Sequence, residues 1–179
     1  MKLKMFAVTL LATVLLGACN GESSDGADNG KKESETVDVK ELVSAYSGDR
    51  TKNETASITS KQLIVTNEKG KESTYDLPKD EFFVSIAPFV TETHPCTNHS
   101  LTGCQGEMAN KEIALYIEDS KGKVVVDETK QTPANGFIDL WLPRDETYTI
   151  KMEHEGKMVE SSFSTSENDG TCITTMQLK

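Results

Sequence analysis

The chain lacks most of the features that fix a chemistry at a glance. It has no C-x-x-C pair and no strand–helix–strand pattern, so a thioredoxin-like exchange enzyme is disfavoured. Neither G-x-S-x-G nor H-E-x-x-H occurs, which removes the commonest hydrolase and metalloprotease signatures. No run of carboxylates has the form of a calcium or magnesium loop. Basic residues are outnumbered, 19 Lys and Arg against 29 Asp and Glu, for a formal charge of −10. Such a surface repels nucleic acid and anionic lipid, so no nucleic-acid partner is expected. Histidine is scarce at three residues and cysteine at four in 179.

Against that scarcity one stretch stands out. Residues 94–108, HPCTNHSLTGCQGEM, hold two of the four cysteines, two of the three histidines and one of the six methionines. The remaining histidine, His154 in MEHEG, falls on an expected turn and reads as an ordinary surface residue.

The N-terminus decides what a cysteine means here. Residues 1–18 carry Lys2 and Lys4, an apolar run from Met5 to Leu16, then small residues: a signal peptide, too short for a stop-transfer helix. Leu16-Gly17-Ala18-Cys19 resembles a bacterial lipobox, which makes Cys19 a lipidation site and places the protein outside the cytoplasm, anchored at the cell envelope. Acyl chains contribute roughly 0.8 kcal/mol per buried CH₂, so this partner is the membrane itself. Residues 19–36 continue as an acidic, Gly- and Ser-rich tether, with an expected span of about 20–25 Å. Loss of Lys2 and Lys4 with the leader takes the charge from −10 to −12.

The rest reads as mainly β, α+β overall. Residues 37–80 form a small N-terminal region. Asp38 opens a short helix with Val39, Leu42, Val43 and Tyr46 on one face, which needs a surface to cover it, either its own chain or a second copy. A hairpin follows, with strands near 62–67 and 72–77, while residues 49–61 are polar and ambiguous. Residues 81–179 form a C-terminal β domain carrying the Cys/His cluster. EFFVSIAPFV (81–90) is an apolar strand stopped or bulged at Pro88, and six more short strands follow the cluster. That spacing predicts an antiparallel sandwich, with an open sheet covered by a helix as the alternative. If the last strand is regular, Cys172, Thr174, Met176 and Leu178 share a face.

With Cys19 set aside, three cysteines remain, and an odd number cannot all be paired within the chain. A free thiol in an oxidising compartment is a liability unless it is used. Closing Cys96–Cys104 is worth about 2.5 kcal/mol in the chain-entropy model and closing Cys96–Cys172 about 4.5 kcal/mol. The longer closure is expected as the resting disulfide, with Cys104 free. Thiolates with imidazoles suit copper(I) best, His94 and His99 flanking Cys96 with Met108 and Met176 as optional neighbours; a Cys₃His zinc site is the second reading. Two thiols closing to a disulfide also release two electrons, enough to turn two copper(II) ions into copper(I).

EFFVSIAPFV, then THPCTNHSLTGCQGEM, then DGTCITTMQLK closely resemble the CueP family of bacterial periplasmic copper-binding proteins, from about Val37 to Lys179. The resemblance implies copper resistance, thiol-dependent copper(II) reduction with Cys96, Cys104 and Cys172 as redox groups and ligands, and His94 and His99 as nearby ligands. It further implies supply of copper to an accepting enzyme such as a superoxide dismutase, and a V-shaped homodimer, for which the helix at 38–46 is the candidate contact. The lipobox and tether depart from that pattern and point to a membrane-tethered form.

Overall fold

The structure, a computed structural model, describes residues 38–48 and 53–179. The signal segment, Cys19 and the tether lie outside the described residues. Helix α1 (Val39–Tyr46) begins where Asp38 predicts: its carboxylate accepts from the backbone N–H of Lys40 (2.9 Å) and Glu41 (3.4 Å). Val43 and Tyr46 are buried, and Val39 and Leu42 pack beside them. The helix therefore covers its apolar face with its own chain. It stops at Ser47, and the Gly48 N–H donates to the Leu101 carbonyl at 3.0 Å.

Three sheets follow. The first is built from β1 (Thr55–Ile58), β2 (Gln62–Thr66), β3 (Glu72–Asp76) and the two-residue β5 (His99–Ser100), in the order β3-β2-β1-β5. The β2–β3 hairpin is closed by Asn67, whose side-chain oxygen accepts from the N–H of Lys69 and Lys71, both at 3.0 Å. Strand β1 lies in the stretch whose sequence was ambiguous. Only Ala56 and Ile58 of its four residues face inward, too short an alternation to stand out among threonines and serines.

The second sheet has the order β10-β9-β6-β7, from β6 (Glu112–Asp119), β7 (Val124–Gln131), β9 (Thr147–His154) and β10 (Lys157–Ser164). The third has β4 (Glu81–Phe89) between β8 (Ile138–Pro143) and β11 (Cys172–Gln177). The main core lies between these two sheets: Phe82, Val84 and Ile86 of β4 and Ile138, Leu140 and Leu142 of β8 face Ile113, Leu115, Ile117, Ile150 and Met152. Because side chains alternate along a strand, the opposite face of β4 meets the first sheet and the helix, where Phe83 joins Val43, Tyr46, Ile58 and Leu63. Strand β4 is thus buried on both faces from Phe82 to Pro88. That explains its unbroken apolar sequence. The architecture is mainly β, as the sequence predicts, with the sandwich backed by a third layer.

Two details depart from the sequence reading. The chain is not antiparallel throughout, since β11 runs parallel to β4. A parallel neighbour needs a long return connection, and here the whole second sheet provides it. Nor is β11 regular. Pairing passes from Ile173↔Ile86 to Met176↔Pro88, so β11 carries one extra residue. The shift reverses the phase of the strand. Cys172 packs with Ala87 and Phe137, whereas Met176 and Leu178 enter the main core. Pro88, expected to stop or bulge β4, sits inside that strand opposite the irregularity; it has no N–H to offer the ladder.

Removing a side chain from the sheet-to-sheet core should be costly. Ile117→Ala, at a fully buried site, is expected to lower unfolding free energy by roughly 2–5 kcal/mol in urea titration. Val124→Thr, 45% exposed, should stay within about 0.5 kcal/mol of the parent.

Candidate metal centre

The cysteine loop is fastened at both ends before any cysteine is placed. Where the chain leaves β4, the N–H groups of Val90, Thr91 and Glu92 all donate to one carboxylate oxygen of Glu107, at 2.8, 2.9 and 3.3 Å. Loss of solvation works to raise the Glu107 pKa, but these backbone donors prevail and hold it below the usual carboxylate range. At the other end Gly106 crosses Gly136 in close backbone contact, and the Gly106 N–H donates to the Asn135 carbonyl at 2.7 Å. A Cβ on Gly136 would lie 2.7 Å from the Gly106 oxygen, and Gly136 has φ +75°. Only glycine suits both conditions.

Between these fastenings the loop makes β5 and a tight turn. The N–H groups of Gly103 and Cys104 donate to the Ser100 carbonyl at 3.2 and 3.0 Å, which swings the Cys104 sulphur back over the Ser100 N–H at 3.4 Å. Cys172 arrives from the far end of the chain. Its N–H donates to the Thr97 carbonyl at 3.1 Å. One residue earlier, the Thr171 hydroxyl accepts from the His99 N–H (2.9 Å) and donates to the Ile58 carbonyl (2.6 Å).

The result is a triangle of sulphurs. Cys96, Cys104 and Cys172 place their Sγ atoms within 4.8 Å of one another, the first two 3.8 Å apart. All three are thiols in the structure. A metal at the centre of three sulphurs, about 2.3 Å from each, needs edges of about 4 Å, so the group fits a soft cation with little contraction. Cys172 is buried; Cys96 and Cys104 are half-buried and pack against Ala87, Phe137 and Cys172.

His99 is fully buried, with Nδ1 3.7 Å from the Cys172 sulphur and its ring 4.6 Å from Phe137 and 6.4 Å from Phe83, centroid to centroid. Its Nε2 has no hydrogen-bond partner among the described residues. His94 is half-buried, its Nδ1 3.4 Å from the Pro95 carbonyl and its ring 6.2 Å from Phe137. Met108 and Met176 lie elsewhere, packed into the main core. His154 belongs to the end of β9, its Nδ1 2.7 Å from the Glu112 carbonyl.

The three thiols do not titrate alike. A hydrogen bond from Cys172, resisted by burial and assisted by His99 and the Ser100 N–H, pulls Cys104 down to about 3. Cys172 is pushed far up, first because it donates that hydrogen bond and then by burial and Cys96. Burial raises Cys96 as well, and the neighbouring Cys104 adds to it, while a hydrogen bond from Cys172 works the other way. Within the cluster ionisation is therefore favoured at Cys104 and opposed at Cys96 and Cys172.

Residues 37–177 match the family model of the periplasmic copper-binding protein CueP. The chain belongs to the CueP family. A solved relative, the crystal structure of S.CueP, is 39% identical, with 79% of this chain and 88% of that chain covered and a TM-score of 0.74. No curated protein matches the chain. The CueP resemblance drawn from the loop thus extends over nearly all of the described chain.

Sequence reasoning placed the cysteines but missed what holds them. Glu107 and Thr171 lie within the quoted stretches beside the cysteines without a role assigned to them, and Gly136 and Phe137 lie outside those stretches. Asn135-Gly136 reads as a turn and Phe137 as the start of a strand, and both come to the loop only through the fold. Two outcomes are expected. Gly136→Ala should cost about 1–2 kcal/mol for its left-handed backbone alone, plus the clash with Gly106; Gly70→Ala, with φ +76° and nothing within 4 Å, isolates the backbone part in the same urea titration. In iodoacetamide labelling followed by mass mapping, Cys104 should react at nearly constant rate from pH 8 down to pH 5. Its folded pKa of about 3 keeps the thiolate present throughout that window, whereas an ordinary thiol loses about tenfold per pH unit below its pKa.

Proposed function

We propose that this protein is an extracytoplasmic copper-binding protein that holds copper(I) on Cys96, Cys104 and Cys172 and reduces copper(II) with its own thiols. The observation that carries the reading is the triangle of three sulphurs, all within 4.8 Å and assembled from distant parts of the chain. Three soft donors in a half-buried, apolar-backed site suit a soft monovalent ion, and the family match names copper.

Cys104 is the entry thiol. As the thiolate of the three it is the sulphur a cation meets first. Cys96 and Cys172 are the pair that opens and closes behind it. Joining their sulphurs breaks two S–H bonds, releases two protons and gives up two electrons, one to each of two copper(II) ions; an external dithiol reductant must then reopen the disulfide before the three sulphurs can hold copper(I) together. His94 and His99 flank the thiols as nitrogen donors for the arriving copper(II), and copper(I) then rests on the three sulphurs. A lipid on Cys19 would hold the protein at the envelope, and transfer to an accepting enzyme such as a superoxide dismutase would dispose of the cargo; the lipobox supports the first and the family resemblance the second. Zinc is the competing occupant, since His99 beside Cys172 could complete a Cys₃His set.

The reduced protein is mixed with copper(II) and a copper(I)-specific chelator, and cuprous yield and affinity are read together. Cys104→Ser is expected to lower both, affinity by at least about tenfold, as loss of one of three ligands should. Equal yield and affinity in parent and variant would sink the proposal. So would tighter retention of zinc than of copper(I) with all three thiols still reduced.

A further inference from the structure

On its protein side the sulphur triangle packs against Ala87 and one aromatic ring, Phe137. Phe137 is fully buried and groups with Cys172 and Ala87, with Cys96 and Cys104 packed against the same cluster. Its ring also touches both imidazoles of the loop, 4.6 Å from His99 and 6.2 Å from His94. His99 is held in an unusual way. Its Nε2 is buried without a hydrogen-bond partner among the described residues, so packing against Phe137 and Phe83, together with the contacts to the Cys172 and Cys104 sulphurs, sets the angle of the ring. A metal-bound imidazole commonly has its second nitrogen hydrogen-bonded and thereby oriented, and His99 lacks that support.

We infer that Phe137 sets the metal preference of the centre, by holding the His99 ring at the angle that turns Nδ1 to the Cys172 sulphur at 3.7 Å and by walling that side of the sulphurs against water. Three thiolates with no fourth donor satisfy copper(I), while zinc takes four ligands in a tetrahedron. An aromatic wall behind the sulphurs therefore penalises zinc more than copper(I). Removing it frees the His99 ring to turn and opens room for a fourth donor. The residue acts through the ligands, so it is a specificity-determining neighbour and holds no metal itself. The inference rests on the copper(I) reading above.

The test compares the parent protein with Phe137→Leu and Phe137→Ala, fully reduced, in direct competition between copper(I) and zinc. The ligand shell of the zinc form is read by X-ray absorption. Phe137→Ala is expected to lower the preference for copper(I) over zinc by roughly tenfold or more, the scale of changes in the shell around metal ligands, and to bring an imidazole or water oxygen onto zinc. Phe137→Leu keeps the apolar fill but loses the flat ring; its shift should be smaller and in the same direction. It is the variant that decides if the alanine protein does not fold. Ratios within about twofold of the parent, with an unchanged zinc shell, would overturn the inference. That result leaves the copper(I) reading standing if the parent still holds copper(I) on three sulphurs; a parent that does not hold it removes the earlier proposal instead.

Discussion

The hydroxyl of Thr171 is the point on which the centre depends. It accepts from the His99 backbone and donates to the Ile58 carbonyl, so a single side chain locks β5 to the start of β11 and to β1. Its own carbonyl accepts from Ser85 of β4 at 2.8 Å. Three sheet elements from three regions of the chain thus converge one residue before Cys172. Inside the protein, where water cannot substitute, each of these bonds is costly to leave unmade. The pairing of Cys172 with Thr97 then brings the third sulphur over the other two without any covalent link.

The second requirement is electrical. Three thiols in a half-buried site cannot all ionise, because like charges a few ångströms apart repel and burial removes the water that would stabilise them. Here ionisation is favoured at Cys104, by the Cys172 thiol, His99 and the Ser100 N–H. A bound cation would offset that repulsion by replacing the protons on Cys96 and Cys172. Behind the centre, Ala87 and Phe137 give the sulphurs an apolar backing, which would suit a low-coordinate soft ion.

Much of this was legible in the residues. Asp38 marked the helix start, the apolar run at 81–90 marked a strand, and the cysteines of the loop and of the last strand are the ones the fold brings together. What could not be read was the phase of β11. An extra residue opposite Pro88 turns Cys172 toward the loop and Met176 into the core, and a bulge of one residue leaves no pattern in six letters. The methionines near the cysteines in sequence went to the core for a related reason: position along the chain says nothing of which face a side chain takes. His99 is buried where a loop residue was expected, because a two-residue strand draws it into the first sheet. Thr171 and Phe137 owe their roles to long-range packing, since neither a place beside Cys172 nor one in a strand says what the side chain will meet.

The central claim is that one copper(I) ion is held by all three sulphurs. X-ray absorption at the copper edge of the reduced, singly loaded protein tests it most directly. The account predicts a cuprous edge and a shell of three sulphurs at about 2.3 Å. A shell dominated by nitrogen or oxygen, or one in which Cys172→Ser leaves the sulphur count unchanged, would contradict it.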